Sequence, residues 1–311
     1  MSRWHWAAVT LGLLVGCASP HPRAVLLGTL PDEPSIPCGA CITAPWTCMG
    51  FEGVRLRTTH WDICTTILIP QLHERLPAAL EAALSGMRSA LDGADLTLPE
   101  PRELMTTCLM SDRRQWSNLA SVLHPQHAAA MQGLSRGGFT AKGVALLYDI
   151  DHRAHCRDTI ALALHEGWHQ YAQTALRSHL PPWLDEGLAT IMEGYRLKID
   201  GIEINHAANR QRSRRAWWML RRGRMLPLAE FLSDDPHAAM ARDRAALLDY
   251  YAQAWALTRY LMSSDAGLAE IRSILKDAAA GTSVAARTIR PGQDQAFLDY
   301  CAAALQPSWW H

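Results

Sequence analysis

Leu72, Leu76, Leu80 and Leu84 recur every four residues and predict a helix over 67–91, with Pro70 near its start. Shorter stretches on either side alternate or gather β-branched residues. Val54 to Cys64 predicts one or two strands, and Glu103 to Met110 another. Asp112 is placed to cap a helix running from Arg113 to Leu123. Gly137-Gly138 breaks the chain, and Gly143 to Ile150 resumes strand character. Beyond about Arg157 the period changes to that of helices, with candidates at 157–178, 182–195, 209–222, 246–263, 266–279 and 293–305. No internal repeat is evident. The pattern predicts an α+β fold, a small N-terminal sheet-plus-helix layer followed by a mostly helical C-terminal half.

The first fifty residues do not follow that pattern. Arg3, an apolar run from Ala7 to Val15, and then Leu14-Val15-Gly16-Cys17 read as a signal peptide over 1–16. The tetrapeptide resembles the lipobox of bacterial lipoproteins, in which the cysteine is lipidated and becomes the mature N-terminus. That resemblance implies Cys17 as the lipid attachment site. With Ala18 rather than aspartate following, it also implies an outer-membrane anchor in a bacterial cell envelope, facing the periplasm or the exterior. No later stretch is long and apolar enough to span a bilayer. Residues 17–52 are rich in proline and cysteine and read as a tether, with ordered structure starting near Val54 and the body over 53–311.

Composition narrows the function classes. The 311 residues hold 30 basic and 30 acidic side chains, so no global charge points to a nucleic-acid partner. Cys38, Cys41, Cys48 and Cys64 could form a zinc knuckle. In an oxidising compartment a disulfide cluster is the stronger expectation.

The candidate chemistry sits in His165-Glu166-Gly167-Trp168-His169. On a helix the two histidines lie on one face a turn apart and can hold a single zinc ion. Glu166 lies about 100° round and can act on water without being a ligand. Ile160, Leu164, Trp168, Tyr171, Ala172 and Leu176 supply the apolar stripe that such a helix needs. A second helix then starts at Pro181-Pro182. The run from His169 to Ser178 rises roughly 13 Å and the return from Pro182 to Glu186 recovers about 6 Å. An extended Leu180-Pro181-Pro182 covers the rest at about 3 Å per residue. Glu186 can therefore return to the level of the histidines as a third ligand.

With Trp183-Leu184-Asp185-Glu186-Gly187-Leu188-Ala189 after the first motif, the chain resembles the gluzincin zinc metallopeptidases, the peptidase MA-like group. The resemblance puts the third-ligand glutamate on Glu186 rather than Asp185 or Glu193. It likens Tyr250-Tyr251-Ala252-Gln253-Ala254-Trp255 and Arg259-Tyr260-Leu261 to the family's tyrosine-bearing helix. Thr58-Thr59-His60-Trp61 and Gly137-Gly138-Phe139 resemble an uncharacterised bacterial branch of the group. Membership of such a group implies a zincin-like fold, Zn2+ as cofactor and a peptide or protein substrate. Glu166 would be the general base and Tyr251 the oxyanion donor, with Tyr250 next. Some gluzincins carry an acidic residue one turn beyond the third ligand, where this chain has Thr190; Asp185 or a backbone carbonyl could serve instead. Two other functions stay open. One is an envelope-bound binding scaffold with a structural or inactive zinc site, the other a zinc amidase acting on cell-wall material.

Other features carry less. Gly143 to Asp149 could be an edge strand that aligns an extended substrate, or an interior strand. Seven arginines between Arg210 and Arg224 surround Trp217-Trp218, either to contact anionic headgroups or envelope polymer or as a solvated basic face. His124, His127, His152, His155 and His206 read as scattered surface residues, and Trp309-Trp310 as a packed tail.

Overall fold

The computed structural model describes residue 26 and residues 41–125, 137–151, 156–198, 201–283 and 292–305. Cys17, Cys38, His127, His152, His155 and the Trp309-Trp310 tail lie outside the described residues. The chain divides into two compact units. The first comprises residues 1–82 and 101–174, the second residues 83–100 and 175–311.

The first unit is built on a six-stranded mixed sheet. In chain order its strands are β1 (Ile42–Cys48), β2 (Phe51–Arg57), β3 (Trp61–Thr65), β4 (Met105–Met110), β5 (Gly138–Ala141) and β6 (Val144–Tyr148), arranged β1-β2-β3-β4-β6-β5. β3, β4 and β6 run parallel to one another. Every residue of these three strands is buried, as expected for parallel strands covered on both faces. The flanking pairs β1/β2 and β5/β6 are antiparallel.

The sheet begins at Ile42, not near Val54. β1 therefore lies inside the stretch that its prolines mark as a tether. Pro45 is tolerated because β1 is an edge strand, where a missing N–H need not break a ladder. Both hairpins close through two residues with positive φ, Met49 (53°) with Gly50 (77°), and Lys142 (52°) with Gly143 (71°). That is the backbone of a type I′ turn, whose twist matches that of the strands it joins.

Helix α1 (Pro70–Leu91) follows β3, and its four leucines at spacing four are all buried. α2 (Arg113–Leu123) starts as predicted at Asp112, whose carboxylate accepts from Gln115 N at 2.9 Å. Trp116 and Leu119 of α2 pack with Trp46, Cys64, Cys108 and Leu146 in a buried apolar cluster. The other long helix of the unit is α3 (Arg157–Ala175), which carries the histidine motif.

The second unit is largely helical. Its elements are α4 (Pro182–Met192), a short hairpin β7 (Tyr195–Lys198) and β8 (Gly201–Ile204), α5 (Arg210–Arg221), α6 (Leu228–Phe231), α7 (Pro236–Arg242), α8 (Arg244–Met262), α9 (Asp265–Ala280) and α10 (Gln293–Ala304). α8 is the central helix and packs against α4, α5, α7, α9 and α10. The sheet-plus-helix first half and helical second half match the predicted α+β arrangement. Among the described residues no helix is long and apolar enough to cross a membrane.

Candidate metal centre

Helix α3 is seated on the sheet by a polar face with a spacing of four and three residues. Glu166, Gln170 and Gln173 all meet the β5–β6 hairpin. Thr140 Oγ1 on β5 donates to Glu166 Oε2 at 2.7 Å. Gln173 Oε1 accepts from Gly143 N at 2.9 Å. Gln170 is fully buried and uses all of its hydrogen-bonding capacity. Its Nε2 donates to Thr106 O at 2.7 Å and to Gly143 O at 3.0 Å. Its Oε1 accepts from Thr107 Oγ1 at 3.0 Å and from Trp61 Nε1 at 3.3 Å. The turn must come close for this, since a Cβ on Gly143 would lie 2.7 Å from Thr174 Cγ2. Ile160, Leu164, Trp168 and Tyr171 form the apolar stripe, each fully buried. At its N-terminal end α3 is tied to the sheet by Thr159 Oγ1, which donates to Asp149 Oδ1 at 2.6 Å.

With the helix so fixed, its rotation is fixed too. His165 and His169 sit beside the polar face, and their Nε2 atoms are 3.3 Å apart. A tetrahedral ion with bonds of about 2.0–2.1 Å to nitrogen holds adjacent ligand atoms about 3.3–3.4 Å apart. The two imidazoles are thus spaced as one edge of a zinc tetrahedron. One ligand atom from each of His165, His169 and Glu186 lies within 4.8 Å of the other two, and among the described residues this is the one such group of three. His165 is buried, while His169 and Glu186 are half-buried. Two imidazoles and a carboxylate suit zinc, and leave one position of four for a water or substrate.

Glu186 owes its placement to α4. Pro181 and Pro182 start the helix, with Pro182 in its first turn. The next residue, Gly187, lies against α8, where a Cβ would come 2.0 Å from Thr258 Oγ1 and 3.1 Å from Ala254 O. Glycine is therefore what lets α4 and α8 approach so closely.

Residues 159–284 match a protein family described as a protein of unknown function, DUF1570. The matched segment opens in α3 and includes His165, His169, Glu186 and the whole of α8. No curated protein matches the chain.

Within the matched segment the two tyrosines of α8 differ. Tyr251 is half-buried, and the Arg212 guanidinium lies over its ring at 5.1 Å. Tyr250 is buried, packs on Phe231 with centroids 5.1 Å apart, and its hydroxyl has no hydrogen-bond partner among the described residues. Burial, and after it the charge of Glu186, pushes the Tyr250 phenol far above the ordinary tyrosine range. Thr190 does not stand in for an acidic residue. Its hydroxyl turns back into its own helix, 2.8 Å from the carbonyls of Glu186 and Gly187. Glu193 is held bidentately by Arg212, at 2.6 and 3.0 Å, and accepts from Asn209 at 2.8 Å.

Several expectations change. Gly143 is a turn residue, and β6 after it is interior, so the edge strand beside the motif helix is β5. His124 is buried, not a surface residue, with its ring edge-on to Phe139 at 5.4 Å. Among the described residues Cys41 and Cys64 are free thiols, and no disulfide joins them as the expected cluster would. Cys64 lies instead in the sheet core, in register with Cys108 on β4. The main residue that sequence reasoning misses is Thr140. Its neighbours Gly137-Gly138-Phe139 were the available signal, since a Cβ on Gly138 would lie 2.2 Å from Leu147 Cδ2 and only glycine brings β5 in so close.

Proposed function

We propose that the chain is a zinc-dependent hydrolase of gluzincin type with a zincin-like fold, acting on peptide bonds. The observation that carries this reading is the convergence of His165, His169 and Glu186, with the Glu166 carboxylate on the same helix held by Thr140. A bound zinc ion supplies Lewis acidity, which lowers the pKa of water and polarises a carbonyl. Glu166 then takes the proton from water and delivers it to the leaving nitrogen. The Thr140 hydrogen bond occupies Oε2 and leaves Oε1 for that transfer. A tyrosine of α8 donates to the developing oxyanion. Resemblance favours Tyr251, with Tyr250, whose buried hydroxyl has no hydrogen-bond partner among the described residues, as the second candidate. The backbone edge of β5 suits an extended peptide. Lipidation at Cys17 would hold the body on the outer membrane of a bacterial envelope.

The test compares zinc content and proteolysis in the parent chain and in Glu166→Gln. Stoichiometric zinc in both, with hydrolysis lost in the variant, is expected. Equal activity in the two would refute the role of Glu166, and a parent without stoichiometric zinc would refute the site.

A further inference from the structure

The arginine-rich helix α5 does more than coat the surface. A cavity of about 600 Å³ lies along it, lined by six arginines and one carboxylate, Asp249. Arg210, Arg214, Trp218 and Arg222 succeed one another at spacing four and form a single stripe along the helix. Like charges at that spacing repel, so Arg210 beside Arg214 is a cost to the isolated helix.

Three of the six arginines already have carboxylate partners. Arg212 is bound to Glu193. Arg215 and Arg224 share Asp249, the former at 2.7 Å. Arg210 and Arg214 have no carboxylate partner among the described residues, and Arg222 only stacks over Trp218 at 5.0 Å. All three are exposed toward solvent, and Trp218 is 40 % exposed beside them. The lining thus holds a wall of three arginines tied to two carboxylates and a row of forks without anions.

We propose that this cavity is a binding site for a phosphate-bearing ligand, recognised by Arg210, Arg214 and Arg222. A single carboxylate offers two oxygens, enough for one guanidinium fork or, as at Asp249, for one bond from each of two arginines. Three forks around one concavity match the larger oxygen count and charge of a phosphomonoester or diphosphate. Trp218 gives the mouth an apolar lip, suited to the carbon skeleton next to the phosphate. Either a lipid headgroup or a soluble phosphate compound presents this chemistry. The proposal is independent of hydrolysis at the metal centre.

The experiment titrates the full chain with inorganic pyrophosphate by calorimetry, alongside Arg214→Ala/Arg222→Ala, Arg210→Glu and His169→Ala. The expected result is saturable binding that weakens by about tenfold or more in both arginine variants, as loss of charge-assisted hydrogen bonds implies. It should weaken with added salt and stay unchanged in His169→Ala. Because pyrophosphate also binds metals, binding lost in His169→Ala but kept in the arginine variants overturns the proposal. So does binding of polyglutamate with none of pyrophosphate, which would make the site one for acidic peptide. Arg210→Glu alters an exposed position in the first turn of α5, and thermal unfolding monitors whether each variant folds. A second arm floats the chain with phosphatidylglycerol vesicles and with phosphatidylcholine vesicles. Selective capture by the former, reversed by pyrophosphate, supports a headgroup as the source. Pyrophosphate binding without that selective capture supports a soluble phosphate.

Discussion

At the scale of single residues, the candidate centre depends on side chains that hold other side chains. Thr140 is the clearest case, because its hydroxyl fixes the Glu166 carboxylate from a neighbouring strand. Thr140→Val should lower kcat by about ten- to a hundredfold, the usual cost of losing an orienting partner, and leave zinc content unchanged. Thr140→Ser should restore most of the rate, which a merely structural role for the side chain would not require. Peptidase kinetics beside metal analysis decide it, and a Thr140→Val enzyme of parental kcat would refute the role. His165, Glu166 and His169 were legible because a helix turns local spacing into geometry. Thr140 was not, because a threonine on a short strand has no distinctive pattern and meets its partner only after the hairpin folds back. Gln170 was equally hidden. Next to His169 it looks like a solvent-facing residue, yet it is buried and makes four hydrogen bonds to the sheet.

At the scale of elements, long helices were read well, while the short α6 and α7 and the turns were missed. The motif helix, predicted over 157–178, ends at Ala175, and the helix predicted over 293–305 spans Gln293–Ala304. Burial of one face leaves a 3.6-residue period that survives in the sequence. The hairpins at Met49-Gly50 and Lys142-Gly143 lack the Asn-Gly or Asp-Gly signal that marks a type I′ turn, so β1 and β5 were both missed. The helix predicted over 182–195 stops at Met192 because the chain turns into the β7–β8 hairpin. Close approach of α4 and α8 yields the prediction at this scale. Gly187→Ala places a methyl group into Thr258 and should destabilise the fold by about 1–3 kcal/mol, as overpacking does. Because Gly187 adjoins Glu186, zinc affinity should fall with it. Urea unfolding and a zinc competition assay measure the two effects, and unchanged values for both would show that α4 shifts freely.

At the scale of the whole molecule, the α+β order was legible from the change of hydrophobic period near Arg157. The division of the chain into two units was not. It cuts through α1 and the end of α3, so no linker composition marks it. Metal binding should raise the stability of the folded state by mass action. At free zinc about a thousandfold above Kd the gain is about 4 kcal/mol, so a strong chelator should lower Tm. Calorimetry with and without chelator checks this, and a Tm indifferent to zinc would contradict a folded-state site. The buried thiols have a separate consequence. Cys64 and Cys108 are sealed in the sheet of the first unit and Cys301 in the second, while Cys41 is exposed. An alkylating reagent should modify Cys41 at once and reach the other three only through opening. The molecule thus contains its own pair of clocks. Mass-resolved labelling rates would tell whether the two halves breathe together or whether one loosens while the other stays shut.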